Sequence, residues 1–239
     1  MRSIADQSIA QLGGPMSILV RQRADHVELD RLLQQLSGES GEAYERTFNK
    51  LNRLVFSHAF AEEAVLWPLL RRLFPEGEQL TLQVEQEHQE INELVVALDE
   101  HRTPSSERER LQARLFEVLR EDVRDEEDEL LPRLQDRLDA QQLRRVGWQW
   151  EVVRRTAPTR PHPVVARRPP GNVVAALPLS VIDRTRDRVD MAARVAPDRF
   201  SGPLRRTSQA LARVSHMVER TPAMRRGERA STARDPEGL

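Results

Sequence analysis

Apolar residues along the first 140 positions recur at the three- and four-residue spacing of amphipathic helices. Short breakers that contain glycine or proline separate four such segments. The segments are a first helix after Gly13-Gly14-Pro15, a second from about Glu42 to Leu73, a third from about Gln79 to His101 and a fourth from about Glu107 to Leu138. No stretch before residue 150 shows the sustained two-residue alternation of a strand. The sequence therefore predicts an all-α fold.

The second half of this region repeats the first. A shift of 62 residues places Asp25-His26 on Glu87-His88, and the leucine stripe of the first helix then falls on the apolar stripe of the third. A shift of 64 residues places Glu62-Glu63 on Glu126-Glu127 and Pro68 on Pro132. Two helical hairpins of one pattern predict an antiparallel up-down four-helix bundle with pseudo-two-fold symmetry. Each proline should kink or end its helix, because it lacks an N–H and clashes with the preceding turn.

The composition changes after residue 150. Residues 1–150 contain 29 Asp and Glu against 19 Lys and Arg, whereas residues 151–239 contain 9 against 18. Ten of the 15 prolines lie in the second part, five of them between residues 157 and 172. We predict a bundle domain over residues 1–150 and a basic Pro/Arg-rich C-terminal extension over residues 151–239. The extension should contain a polyproline-like linker at 157–172, weak amphipathic helices near 177–196 and 204–220, and a disordered last dozen residues.

Residues that the chain lacks exclude several kinds of site. The sequence has no cysteine, which excludes disulfides, a thiolate nucleophile and a Cys-ligated zinc or iron–sulfur site.

The N-terminal residues lack the continuous apolar region of a signal peptide. The longest uncharged stretches, residues 7–20 and 169–182, are 14 residues each, too short for a membrane span. We therefore expect a soluble, cytoplasmic protein.

Histidines and carboxylates at related positions of the four helices could bind a metal. The first and third helices have equivalent histidines beside their apolar stripes. The second helix has a histidine and a glutamate four residues apart, on one face, and the fourth has two carboxylates at the matching positions. Such a set of imidazoles and carboxylates, facing the interior of a bundle, is typical of a di-iron or di-manganese site. The candidate ligands are His26, His58, Glu62, His88, Asp122 and Glu126.

Each of these residues alone has a more ordinary explanation. A histidine beside an apolar stripe is usually half-buried and hydrogen-bonded, and a His–Glu pair four residues apart is a common surface pair. The acidic run EDVRDEEDE is typical of a solvated helix face. The repeat favours the metal site, because it predicts where the second histidine and the second carboxylate should lie and both are present. Burial of so many ionisable groups also requires compensation, which a metal provides.

Four segments carry these residues: DH at Asp25-His26, HAFAEEAVLWPLL from His58, EH at Glu87-His88 and DVRDEEDELLPRL from Asp122. Over about residues 15–140 the chain resembles the hemerythrin-like, HHE cation-binding family. The resemblance implies an antiparallel four-helix bundle with a non-haem di-iron cofactor that binds or reacts with dioxygen, nitric oxide or peroxide. It also implies that His26, His58 and His88 are terminal nitrogen ligands, and that Glu62 and Glu126 bridge the two metals.

Two positions depart from the pattern of that family. The family usually has a histidine where this chain has Asp122. A carboxylate can still ligate, but it would lower the iron reduction potential, and Asp125 or Glu127 could compete for the position. Asn92 lies one turn after the histidine of the third helix, where the oxygen carriers of the family have a second histidine, so a five-histidine site is excluded. Asp30, one turn after the first histidine, is expected on the surface.

Other residues of possible interest have simpler roles. His101 should interact with the C-terminal dipole of the third helix. His162 lies among prolines and His216 on a basic helix, and we expect no partner for either. Trp148 and Trp150 should pack a short fifth helix against the bundle.

Three functions follow from these patterns. The favoured one is a non-haem di-iron protein that acts on a small diatomic or peroxide, in stress response, sensing or iron handling. The second is a regulatory module in which the bundle senses and the Arg-rich tail contacts a partner. The third is a metal-poor helical scaffold that has drifted from the family. We expect the tail to lie on the acidic bundle or to be disordered, and its lack of stacking aromatics argues against nucleic-acid binding. The sequence leaves the oligomeric state open.

Overall fold

The chain is helical in a computed structural model that describes residues 2–101 and 103–227, and no strand occurs in those ranges. The helices are α1 (Ile18–Ser37), α2 (Gly41–Ala61), α3 (Trp67–Leu73), α4 (Gly77–Glu100), α5 (Ser106–Asp125), α6 (Leu131–Arg137), α7 (Ala140–Thr156), α8 (Gly171–Val195) and α9 (Asp198–Glu219). The predicted all-α fold is confirmed. The disorder expected for the last dozen residues concerns positions outside the described ranges.

Four helical rods surround a common interior. One rod is α1, the second is α2 continued by α3, the third is α4, and the fourth is α5 continued by α6. Short connections join successive rods, which makes neighbouring rods antiparallel. α1 packs against α2 and α5, and α4 packs against α3 and α5. N-cap serines define the starts of α1 and α5. The side chain of Ser17 accepts a hydrogen bond from the N–H of Leu19, and that of Ser105 accepts one from the N–H of Arg108.

A short π-helical turn interrupts the second rod and another interrupts the fourth, at Glu62–Leu66 and Glu126–Leu130. The N–H of Trp67 donates to the carbonyl of Glu62, five residues back, and the N–H of Leu131 donates likewise to Glu126. A proline follows each donor. Because proline would clash with the carbonyl four residues before it in a regular α-turn, the wider turn accommodates it. The rods therefore change winding just before Pro68 and Pro132 instead of ending there.

Buried apolar side chains form two clusters inside the rods, and the candidate ligands lie in the polar layer between them. The first cluster includes Ile18, Trp67, Leu70, Val84, Leu130 and Trp150. The second includes Leu33, Leu51, Val95, Leu98, Leu115 and Leu119. Close-packed hydrocarbon on both sides keeps bulk water from the polar layer and fixes the rotamers of the side chains within it.

Helix α7 packs against α1 and α2 and continues past residue 150, so the change in composition falls inside a helix. Trp150 is buried, as expected, whereas Trp148 is 63% exposed and does not pack against the bundle. Both extension helices begin earlier than predicted, and they pack against each other. The division into two domains stays a prediction.

Residues 157–168, which we call the strap, lie on the bundle. The prediction of a polyproline-like linker at 157–172 was wrong for these twelve residues, because ten of them are buried. The backbone N–H of His162 donates to Asn92 Oδ1 at 3.0 Å, and Gln89 Nε2 donates to the carbonyl of Pro163 at 3.3 Å. A proline-rich segment behaves as a linker when its backbone has no hydrogen-bond partner in the protein. Here side chains of α4 form hydrogen bonds with the backbone of the strap.

The expectation that His162 and His216 lack partners was also wrong. His162 is buried between α8 and α9, where Nε2 donates to Asp183 Oδ2 at 3.1 Å and Nδ1 donates to Glu219 Oε2 at 3.0 Å. His216 Nδ1 donates to the other oxygen of Glu219 at 2.6 Å. The partners of His162 lie 21 and 57 residues away, so local patterns could not reveal them, whereas Glu219 is three residues from His216 on the same helix. His101 caps the end of α4, with Nδ1 bonded to the carbonyl of Ala97.

Candidate metal centre

The fold brings all six candidate ligands together in the polar layer, and all six are buried. They come from the four rods, which place them at one level of the bundle. Two groups of atoms lie close enough to hold a metal ion each: His26, His58, Glu62 and Glu126 in the first group, and His88, Asp122 and Glu126 in the second.

The first group has two imidazoles that face each other. His26 Nε2 lies 3.3 Å from His58 Nε2 and 3.2 Å from Glu126 Oε2. His58 Nε2 lies 3.0 Å from Glu62 Oε1 and 4.0 Å from Glu126 Oε2. Ligand atoms bound about 2.1 Å from one metal ion are about 3 Å apart. The spacing of this group therefore suits one metal ion.

The second group centres on His88. Its Nε2 lies 3.4 Å from Asp122 Oδ1, 3.7 Å from Glu62 Oε2 and 3.9 Å from Glu126 Oε1. The atoms are slightly farther apart than in the first group, and one imidazole replaces two. This half of the centre is thus more anionic.

Glu62 and Glu126 each reach both groups, with one carboxylate oxygen on either side. All four of these oxygens, together with His88 Nε2 and Asp122 Oδ1, are buried without a hydrogen-bond partner. Buried polar atoms are almost always satisfied, because each unsatisfied one destabilises the fold by about 1–3 kcal/mol. A pair of cations would satisfy them, so the residues fit a dinuclear site.

A second layer of carboxylates, which we call the outer carboxylates, orients the three imidazoles. His26 Nδ1 donates to Glu127 Oε1 at 2.8 Å, and His88 Nδ1 donates to Glu63 Oε1 at 3.0 Å. His58 Nδ1 donates to Asp25 Oδ2 at 3.1 Å. Each bond fixes the tautomer that presents Nε2 to the cluster, which is the usual arrangement around metal-ligating histidines.

Sequence reasoning missed this outer layer, although the repeat contains the signal. Glu63 and Glu127 are equivalent residues, and each supports the histidine of the opposite hairpin. The π turns allow this, because each carries two successive glutamates into the interior, one toward the cluster and one toward an imidazole. Exposure is only 2% for Glu63. The crossed pairing also keeps the two hairpins in register.

The remaining sequence candidates lie outside the cluster. Glu127 supports His26 and is not among the groups that could hold a metal. Asp125 accepts from Gln83 Nε2 at 2.5 Å, and the exposed Asp30 accepts from Gln34 Nε2 at 2.6 Å. Asp122 is therefore the carboxylate that the geometry places with His88.

Burial and neighbouring charges shift the pKa values of the clustered residues. Burial lowers the pKa of His26, but the nearby carboxylates of Glu126 and Glu127 outweigh it and raise that pKa to about 9. For His88, burial is likewise outweighed by Asp122 and the outer carboxylate, and the pKa rises to about 10. Burial and the neighbouring Glu126 raise the pKa of Glu62. Ring protons thus balance the carboxylates when no cation is bound, and metal binding would displace them.

A small chamber adjoins the cluster on the side of the second apolar cluster. Its volume is about 20 Å³, and Leu29, Val55, Ile91 and Leu119 are among its apolar walls. An open cleft of about 430 Å³ on the surface between α1 and α5 shares His26, Leu29 and Val123 with the chamber. The chamber has room for about one water molecule or a diatomic.

Comparison with known proteins identifies the domain that carries this cluster. The family model for the hemerythrin HHE cation-binding domain matches residues 17–134. This part of the chain is a hemerythrin HHE domain. A hemerythrin-like protein of Schizosaccharomyces pombe, described as uncharacterized, is 25% identical over 170 residues, which cover 70% of this chain and 83% of that protein. The comparison with solved structures gave no significant match.

The resemblance inferred from the motifs is thereby confirmed, and the domain is one that binds cations. The matched range runs from the start of α1 to the middle of α6, so it contains all six clustered residues and leaves out the strap, α7, α8 and α9. Every helix in the described ranges is too short or too polar to cross a membrane.

Proposed function

We propose that the hemerythrin domain holds two iron ions and that the loaded protein binds or reacts with dioxygen, nitric oxide or peroxide, in stress response, sensing or iron handling. The observation that carries this proposal is that Glu62 and Glu126 each reach both groups of the cluster. Their four carboxylate oxygens are buried without a hydrogen-bond partner. Imidazole and carboxylate donors without thiolate suit non-haem iron. When bound, the ions would supply redox chemistry toward a small oxidant.

The side chains around the ligands have three tasks. Glu62 and Glu126 hold both halves of the centre at a fixed separation. The outer carboxylates keep each Nε2 free of its proton and aimed at the cluster. The apolar walls of the chamber exclude bulk water and admit a molecule of diatomic size. Asp122 adds a third anionic ligand, which favours oxidised iron and therefore reaction over reversible oxygen carriage.

The test is anaerobic reconstitution of the full chain with Fe²⁺, followed by metal analysis and absorption spectra after addition of peroxide or nitric oxide. We expect about two iron ions per chain and a new absorption band on addition of either molecule. His58→Ala and Glu62→Gln should lower the iron content. The matched controls are His101→Ala at the end of α4 and Glu121→Gln, whose side chain pairs with Arg114, and both should keep the iron.

Two results would contradict the proposal in different ways. Less than about 0.3 iron ions per chain after reconstitution would indicate a drifted, metal-poor scaffold. Full iron loading with no spectral response to either molecule would leave a metal-binding domain without the proposed reactivity.

A further inference from the structure

The strap brings two buried arginines to the face of α4. Arg168 forms hydrogen bonds through Nε and Nη2 with the buried Glu85, at 2.5–3.0 Å, and through Nη1 with Glu78 at 2.8 Å. Arg167 donates through Nε and Nη2 to Gln89 Oε1, at 3.2 and 2.8 Å. The two residues are neighbours in sequence and similarly buried, but their partners differ.

Arg167 also reaches the outer layer of the metal centre. Its Nη1 lies 3.7 Å from Glu63 Oε1, the oxygen that accepts from His88 Nδ1 at 3.0 Å. The side chains of Arg167 and Glu63 are 11% and 2% exposed. Guanidinium, carboxylate and imidazole therefore form a buried series that ends at the second group of the cluster.

We propose that Arg167 is a positioning residue for the His88 half of the centre and that it acts through Glu63. A buried carboxylate with one hydrogen bond can rotate about its side-chain torsions. A second, cationic partner restricts the rotation and keeps the accepting oxygen on Nδ1. His88 then presents Nε2 to the cluster in a fixed orientation. The inference rests on the proposed function, because it assumes that the cluster binds metal.

The first half of the centre has a weaker version of this arrangement. Arg154 of α7 lies 3.5 Å from Asp25, the outer carboxylate of His58. Asp25 is 18% exposed at its side chain, so water can replace a missing cation there. Glu63 has almost no such access, and removal of its arginine should therefore have the larger effect.

The test compares Arg167→Gln with Arg168→Gln in the metal-free full chain. Both variants remove one strap arginine, but only the first touches Glu63. Titration with Co²⁺ in competition with a chromophoric chelator gives the two binding constants and the visible bands of bound cobalt. We expect Arg167→Gln to weaken one binding step about fivefold to tenfold and to shift its bands. Arg168→Gln should leave both steps within about twofold while destabilising the metal-free fold more.

Two further variants separate positioning from general packing. Arg167→Lys keeps the charge and should recover most of the lost affinity. In a Glu63→Gln background, Arg167→Gln should cause no further loss, because its route to His88 is already broken. Equal affinities for Arg167→Gln and wild type, an equal loss for Arg168→Gln, or an undiminished loss in the Glu63→Gln background would each overturn the inference. A wild-type chain that binds no Co²⁺ would instead overturn the proposed function.

Discussion

Asp122 makes the two halves of the metal centre chemically different. In the first hairpin, Asp25 accepts from His58 Nδ1. The repeat places Glu87 and Asp122 at the same two positions in the second hairpin. Asp122 has no N–H to donate, and Glu87 Oε2 is left buried without a partner, where burial raises the pKa of Glu87 to about 7. Glu87 thus lies where an outer carboxylate would accept a hydrogen bond from a histidine, but Asp122 replaces that histidine.

Asp122→His should restore the symmetric arrangement. We expect the new imidazole to donate to Glu87 and to join His88 as a neutral ligand. Loss of an anionic ligand should raise the reduction potential of the iron-loaded protein by tens of millivolts, measured by redox titration. Asp125→His is the control, because Asp125 lies outside the cluster. An unchanged potential in Asp122→His, or the same rise in Asp125→His, would contradict this account of Asp122.

The positions of the six clustered residues follow from the repeat and from helical spacing, and the sequence named all of them. The positions of the outer carboxylates could not be predicted in the same way. Glu127 lies in an acidic run that is typical of a solvated face, Glu63 lies five residues after His58, and the π turns carry both inward. Because a π turn changes the angle between successive residues, standard helical spacing places these side chains on the wrong face.

Among the elements, α1 and α5 border the route from the surface to the cluster. The cleft between them and the chamber share Leu29 and Val123, so these two side chains separate the two spaces. Val123 is only partly buried and packs against the second apolar cluster. A larger side chain here would narrow the opening.

Val123→Phe should slow the reaction of the iron-loaded protein with peroxide or nitric oxide severalfold, while the iron content stays unchanged. Stopped-flow absorption measures the rate. Val27→Phe is the matched control, since Val27 is on α1 but 65% exposed. If Val123→Phe reacts as fast as wild type, the small molecule enters by another route.

The junction of the strap with α8 and α9 should make stability depend on pH. Burial lowers the pKa of His162, but Asp183 and Glu219 outweigh it and raise that pKa to about 9. Arg160 and Arg186 are further charged groups near Asp183, and His216 is a further titratable group at Glu219. Since the unfolded value is about 6.5, His162 stabilises the fold fully below pH 6.5, and this contribution is lost as pH rises through 9.

Comparison of wild type with His162→Gln should isolate this effect. The difference in the free energy of unfolding should fall by up to about 3 kcal/mol between pH 6 and pH 10. Urea unfolding at several pH values measures it, in metal-free protein. His101→Gln, at an exposed helix end, should show no such dependence. A constant difference between wild type and His162→Gln would contradict the assignment.

For the molecule as a whole, the opposite charges of bundle and extension are joined in specific ion pairs. Arg168 pairs with Glu85, Arg167 with Glu63, and Asp187 of α8 with Arg53 of α2. Two of these acidic partners, Glu85 and Glu63, are buried. The extension thus supplies additional cations to buried carboxylates of the bundle, which favours a structural role over a free regulatory arm.

Truncation after Thr156 should therefore weaken the bundle itself. We expect a loss of about 3–5 kcal/mol in the free energy of unfolding, because the buried Glu85 and Glu63 lose their arginine partners from the strap. Metal affinity should also fall, most at the His88 half. Calorimetry and metal titration measure the two effects. If the truncated chain keeps its stability and its metal, the extension is an independent unit and the regulatory hypothesis gains support.

The sequence by itself determined the all-α fold, the paired hairpins and the six clustered residues, because helical periodicity and an internal repeat are local and regular signals. The tertiary structure decided what lies around them. It placed Glu63 and Glu127 on opposite histidines, gave His162 two partners and seated the strap on α4. These contacts join residues 21 to 101 positions apart. Near-neutral net charge concealed them, since only folding shows which opposite charges meet.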